Sequence, residues 1–248
     1  MTRRRASSRS SPWGRKPTRG SRNPPESLRR PPCPSPWPEY DPRVSKGLFL
    51  VFEGIDGAGK SSQLQRLAAR LRAAGHEVLC LREPTDGPCG AEIRRRAREG
   101  PPLPPQEELD LFLQDRRENV AERVLPALAA GKAVLQDRYF YSTAAYQAAR
   151  PELGLSPAEV VSLHAWAPLP DLVLLLDLPV DEGLRRVVRR GRGDAFEERA
   201  LQERVRKNFL ALAARDPRFR RIDAGRPEEE VAAAVWDAVR PLLEEVQA

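Results

Sequence analysis

Cysteine, histidine and lysine are scarce in this chain, and each scarcity excludes something. Cys33, Cys80 and Cys89 are its only cysteines, and His76 and His164 its only histidines. The cysteines are odd in number and lack metal-ligand spacing, and the histidines stand apart in the sequence. Neither a disulfide framework nor a zinc site is implied, which suits a reducing cytoplasm. Cys80 lies in an apolar stretch and reads as core. No apolar run approaches the roughly 20 residues of a membrane-spanning helix, so no membrane association is expected. Lysine is confined to Lys16, Lys46, Lys60, Lys132 and Lys207.

The formal charge of +7 over 248 residues suggests nucleic acid until its distribution is followed. Residues 1–46 hold twelve Arg and Lys against Glu26, Glu39 and Asp41, a net of +9. The other 202 residues hold 30 basic and 32 acidic side chains, a net of −2. The excess belongs to the tail. That stretch is rich in Arg, Ser and Pro and has few aliphatic side chains, so it cannot bury enough apolar surface to offset its ordering entropy. The expected organisation is a disordered tail over 1–46 and one α/β domain over 47–248. The favoured reading of the tail is a solvated extension, or a stretch not translated at all if synthesis starts near Val44. Contact with RNA or anionic surfaces through charge alone competes with it, as does a targeting peptide. Ten prolines disfavour the amphipathic helix that such peptides need.

What is present is one motif that organises the rest. The apolar run Leu48–Phe52 leads into Gly54, Ile55, Asp56, Gly57, Ala58, Gly59, Lys60, Ser61 and Ser62, and a helical pattern follows. This is the strand–GxxxxGK[ST]–helix arrangement of a P-loop. The glycines let successive N–H groups point at one phosphate chain, and the new helix adds its positive end. Lys60 reaches the outer phosphates as a mobile charge, and Ser61 offers a hydroxyl to Mg²⁺. A nucleotide-phosphate site is expected here.

Downstream, strands and helices alternate. Strands are predicted at 77–81, 133–136, 171–177 and 219–223. The helices are placed at 61–74, 91–98, 106–130, through 147, 156–165, 179–190, 196–214 and from 227 onward. Alternation of this kind means a parallel sheet, here of five strands, with ligands at the carboxyl ends of the strands. Those ends carry the P-loop, Arg82-Glu83-Pro84, Asp137-Arg138-Tyr139 and Asp177. Phosphoryl transfer needs charge neutralisation around the moving group and little covalent help. Asp137 can hold Mg²⁺ directly or through water, and Arg138 can bind an acceptor phosphate with its planar fork. The cluster Arg189–Arg192, on a glycine-containing turn, can close over a nucleotide.

The motifs FEGIDGAGKSS, LREP, LFLQDRREN, DRYFYSTAAYQ, PDLVLLLDLP and IDA, spread over about residues 47–246, resemble the thymidylate kinase family of nucleoside monophosphate kinases. The resemblance implies a five-stranded sheet of order 2-3-1-4-5, conversion of dTMP to dTDP with ATP and Mg²⁺, and a homodimer. It implies that Asp56 accepts from the 3′-hydroxyl of the acceptor, Phe112 stacks on thymine and Arg116 donates to a thymine carbonyl. It further implies that Arg138 holds the acceptor phosphate, Ser142 and Thr143 line the base, and Tyr146 crowds the ribose 2′ position.

Two departures stand out. Many family members continue REP with Gly-Gly-Thr, where this chain has Thr85-Asp86-Gly87-Pro88. The lid of many bacterial members reads Asp-Arg-x-Glu, where here Asp194 is followed by Ala195. The P-loop has no arginine, so the catalytic arginine is expected from the lid, as Arg192 or Arg190. The competing functions are a kinase for another deoxynucleoside monophosphate and a regulatory P-loop ATPase or GTPase. The sequence has no Asn-Lys-x-Asp guanine motif. A nucleic-acid binder would rest on the tail alone.

Overall fold

A computed structural model describes residues 47–101, 103–188 and 195–246. The tail over 1–46 and the lid residues Arg190 and Arg192 lie outside the described residues.

Five parallel strands form one sheet in the order β2-β3-β1-β4-β5. They are β1 Leu48–Glu53, β2 Val78–Arg82, β3 Ala133–Asp137, β4 Leu172–Asp177 and β5 Phe219–Asp223. The three central strands β1, β3 and β4 are buried along their whole length. This is why they read as continuous apolar runs rather than alternating ones. Each fully buried Leu, Val or Phe there contributes roughly 2 kcal/mol through burial. Polar residues break the pattern only at the carboxyl ends, where Phe52 pairs with Asp137 and Asp137 with Arg82. Arg82 and Asp137 therefore arrive side by side at the carboxyl end of the sheet, with Glu53 one residue beyond the Phe52 that pairs with Asp137.

The connecting helices are α1 Lys60–Ala73, α2 Pro88–Glu99, α3 Pro105–Asn119, α4 Leu125–Ala129, α5 Phe140–Gln147, α6 Pro157–Ser162, α7 Val180–Val188, α8 Ala195–Ala213 and α9 Glu228–Val246. One long helix was expected over 106–130, and a π turn at Val120–Val124 divides it. Pro126 supplies the reason, since it has no N–H for the carbonyl four residues back and its ring crowds that carbonyl. The Leu125 N–H reaches instead to the Val120 carbonyl. The helix expected over 156–165 is shorter. Ser156 caps it in a reciprocal box with Glu159, but after Ser162 the bonds tighten, with His164 N donating to Val161 O at 2.9 Å. Among the described residues, no helix is long and apolar enough to cross a membrane.

Candidate active site

The P-loop leaves β1 through Gly54 (φ 141°), Gly57 (φ 80°) and Gly59 (φ 87°). A Cβ on Gly54 would lie 2.5 Å from the Leu176 carbonyl oxygen, and one on Gly57 would lie 2.4 Å from that of Gly183. Both positions combine left-handed backbone with a neighbouring chain, so only glycine fits. No side chain caps α1 at Gly59, and its first turn carries no acid. The positive end of that helix is thus available to an anion. Lys60 folds back onto the loop, where Nζ donates to Gly54 O at 3.0 Å and Ile55 O at 2.8 Å. Burial and the charge of Arg138 bring its pKa down to about 8.

Ser61 and Asp137 meet beside it, the hydroxyl donating to Asp137 Oδ2 at 2.5 Å. Arg138 follows with φ 66°, the one positive φ outside glycine among the described residues. Its N–H donates to Phe52 O at 3.0 Å, which fixes the turn against β1. The guanidinium then reaches across to the P-loop and pairs with Asp56 Oδ1 at 2.6 Å. It also donates to Ser142 Oγ at 3.0 Å. Burial raises the Asp56 carboxyl, but Arg138 and Lys60 outweigh it and leave the group below its ordinary value. Glu53, fully buried beneath, accepts from Tyr139 N at 2.8 Å, Ser142 N at 3.0 Å and Ser142 Oγ at 2.5 Å. It anchors the start of α5 to the end of β1.

Two cavities open from this centre. The larger, about 750 Å³, is lined by Asp56 to Ser62, Arg82, Asp137, Arg138, Arg186 and Arg226, among others. The smaller, about 240 Å³, is lined by Phe112, Arg116, Tyr139, Ser142, Thr143 and Tyr146, together with Asp56 and Arg138. Asp56 and Arg138 belong to both walls.

The floor of the smaller cavity is a buried polar network. Arg116 is 1% exposed, and its Nε and Nη2 donate to one oxygen of Glu83 at 2.9 and 2.5 Å. Nη2 also donates to Thr143 Oγ1 at 3.0 Å. A buried charge of this kind persists only when paired and hydrogen-bonded. Glu83 also accepts from Asn119 Nδ2 at 3.0 Å.

The thymidylate kinase family model matches residues 52–235. This chain belongs to the thymidylate kinase family. It is 42% identical over 200 residues to the thymidylate kinase of Desulfotalea psychrophila, covering 79% of this chain and 96% of that one. It is 44% identical over 201 residues to a probable thymidylate kinase of Pyrococcus horikoshii, covering 79% and 97%. For the thymidylate kinase of Deinococcus radiodurans the identity is 43% over 201 residues, covering 79% and 98%.

Within this thymidylate kinase fold, the seven residues expected at the acceptor, Asp56, Phe112, Arg116, Arg138, Ser142, Thr143 and Tyr146, all line the smaller cavity. Burial pushes the Tyr146 phenol up to about 12, so it stays neutral there. The Arg138 side chain is only 18% exposed, because Asp56 and α5 close around it. Asp177, at the carboxyl end of β4, is bound by Arg206 at 2.7 Å and Arg221 at 2.6 Å. The Thr85 loop, lacking Gly-Gly-Thr, is clasped to α3. Thr85 N and Oγ1 donate to the two oxygens of Asp115 at 2.8 and 2.6 Å.

Among the residues lining or supporting the site, Arg186, Arg226 and His164 are not signalled by the sequence. Arg186 and Arg226 line the larger cavity but stand among the many arginines of this chain, whereas Arg82, on the same wall, is signalled by its place at a strand end. His164 gave no signal, since Arg116, the partner that gives it meaning, lies 48 residues away on α3.

Proposed function

We propose that this chain transfers the γ-phosphoryl group of ATP to dTMP, yielding dTDP for dTTP synthesis, as a cytoplasmic homodimer. The observation that carries this reading is the meeting of the two cavities at Asp56 and Arg138. The larger takes the donor phosphates, held by the P-loop N–H groups and Lys60. The smaller takes the acceptor, its base between Phe112 and the polar floor of Arg116 and Thr143, with Ser142 alongside. Arg138 binds the acceptor phosphate where two anionic groups must approach, so its charge offsets a repulsion that grows toward the transition state. Asp56 accepts from the 3′-hydroxyl, and Tyr146 fills the space a 2′-hydroxyl would need. Arg190 or Arg192 supplies the further cation for the transferring group.

The donor set beside the P-loop fits Mg²⁺. Among the described residues no cluster of three or more His, Cys, Asp or Glu could hold a metal by itself, but Ser61 and Asp137 converge within 2.5 Å. One hydroxyl and one carboxylate suit an ion whose other ligands are water and substrate phosphates. When bound, Mg²⁺ neutralises phosphate charge.

The test separates a kinase from a regulatory ATPase. With ATP and Mg²⁺ present, ADP release should depend on added dTMP and match dTDP formed one for one. ADP release that proceeds equally without an acceptor would defeat the reading. A kinase for another deoxynucleoside monophosphate is the second reading, motivated by the altered loop at Thr85.

A further inference from the structure

The Arg116 guanidinium has five N–H groups, and the bonds to Glu83 and Thr143 account for three. All three lie on its Nε/Nη2 edge, and two end on the same Glu83 oxygen. Contacts along one edge leave a plane free to rock about that edge. The fourth bond is on the opposite nitrogen, where Nη1 lies 2.6 Å from His164 Nε2. Because arginine only donates, Nε2 must be the acceptor. The other ring nitrogen, Nδ1, is 2.8 Å from the Val160 carbonyl oxygen, which only accepts. The tautomer is therefore fixed: Nδ1 carries the proton and Nε2 carries a lone pair.

Everything around the ring holds it in that state. His164 is 1% exposed and stacks on Phe140 with ring centroids 5.7 Å apart. Burial and the adjacent Arg116 charge push its pKa down to about 3, so the ring is neutral at physiological pH. A protonated ring would set two cations face to face and lose the acceptor.

We propose that His164 is a positioning residue for acceptor-base recognition: its Nε2 pins Arg116 Nη1, so that the remaining Nη1–H, unpartnered among the described residues, is held toward the base cavity. The proposal rests on reading the smaller cavity as the thymine site. His164 does not touch substrate; it acts through the orientation of Arg116. Val160 in α6, Phe140 in α5 and Arg116 in α3 are thereby tied into one rigid wall.

The test compares His164→Leu, which removes the acceptor, with His164→Gln, whose amide oxygen can accept from Arg116. KM for dTMP, KM for ATP, kcat and thermal midpoint are measured for each. The leucine variant should raise KM for dTMP roughly ten-fold or more, the scale of one lost hydrogen bond to a charged group. Its kcat should change less than about three-fold and its KM for ATP not at all, as expected when binding made equally in the ground and transition states is lost. Glutamine should restore KM for dTMP to within about three-fold of wild type. An unchanged KM for dTMP in the leucine variant overturns the proposal, as does a parallel fall in kcat and ATP affinity. Should leucine give no folded protein, His164→Phe keeps the ring volume without a ring nitrogen. Failure of both to fold shows a structural role and overturns the proposal too. A wild-type chain without dTMP kinase activity would instead defeat the functional reading itself.

Discussion

Arg138 and Asp56 form an ion pair at 2.6 Å, joining the turn after β3 to the P-loop after β1. The pair sits on the wall common to both cavities. On the proposed reading the pair presets the guanidinium between donor and acceptor phosphates before either is bound, so that little reorganisation would remain at the moment of transfer.

Removing that charge should be costly. Arg138→Ala should lower kcat/KM for dTMP by about 3 kcal/mol or more in transition-state stabilisation. Arg138→Lys should recover only part, since it keeps the charge but loses the fork that spans Asp56 and Ser142. Steady-state kinetics with circular dichroism as a fold control decides this. Near-normal kcat/KM in the alanine variant would remove Arg138 from the mechanism.

Lys60 gives a pH dependence of definite sign. Its pKa of about 8 in the ligand-free chain lies well below that of a free lysine, and only the protonated form attracts phosphate. The value of kcat/KM for ATP, which reports free-enzyme ionisations, should therefore fall as pH rises through about 8. In Lys60→Arg, which does not titrate there, the limb should disappear even though overall activity is reduced. An identical limb in both proteins would assign it to another group.

His164 gives one in stability. The unfolded chain titrates near 6.5 and the folded chain near 3, so between these values the unfolded chain holds the extra proton. The contribution is fully present above about pH 6.5 and is lost as pH falls toward 3, at up to about 1.4 kcal/mol per pH unit. Urea unfolding at pH 7 and pH 5 should show a larger loss for wild type than for His164→Gln. Equal losses would mean that His164 is not the buried neutral group described.

The contrast between Lys60 and His164 indicates what the sequence made legible. Lys60 announced itself because strand, glycines and helix are contiguous, and the five strands were readable because the central ones are apolar on both faces. Their order and the acceptor residues came through resemblance; periodicity alone makes Phe112 an ordinary core position. Glu83 was marked only by its place at a strand end and His164 not at all, because both take their meaning from Arg116, 33 and 48 residues away. The π turn at Val120–Val124 was signalled by Pro126, but the helical periodicity around it masked the signal. Arg190 and Arg192 lie outside the described residues, and their catalytic role is part of the proposal.

The central claim is selectivity for dTMP, and the most direct measurement is kcat/KM across dTMP, dUMP, dCMP, dGMP and UMP with Mg·ATP as donor. The cavity of Phe112, Arg116, Thr143 and Tyr146 predicts dTMP first, by at least about ten-fold over each of the others, since one methyl or one mismatched polar contact is worth that much. UMP should also suffer from its 2′-hydroxyl against Tyr146. Equal use of all five, or a clear preference for another deoxynucleotide, would contradict the account.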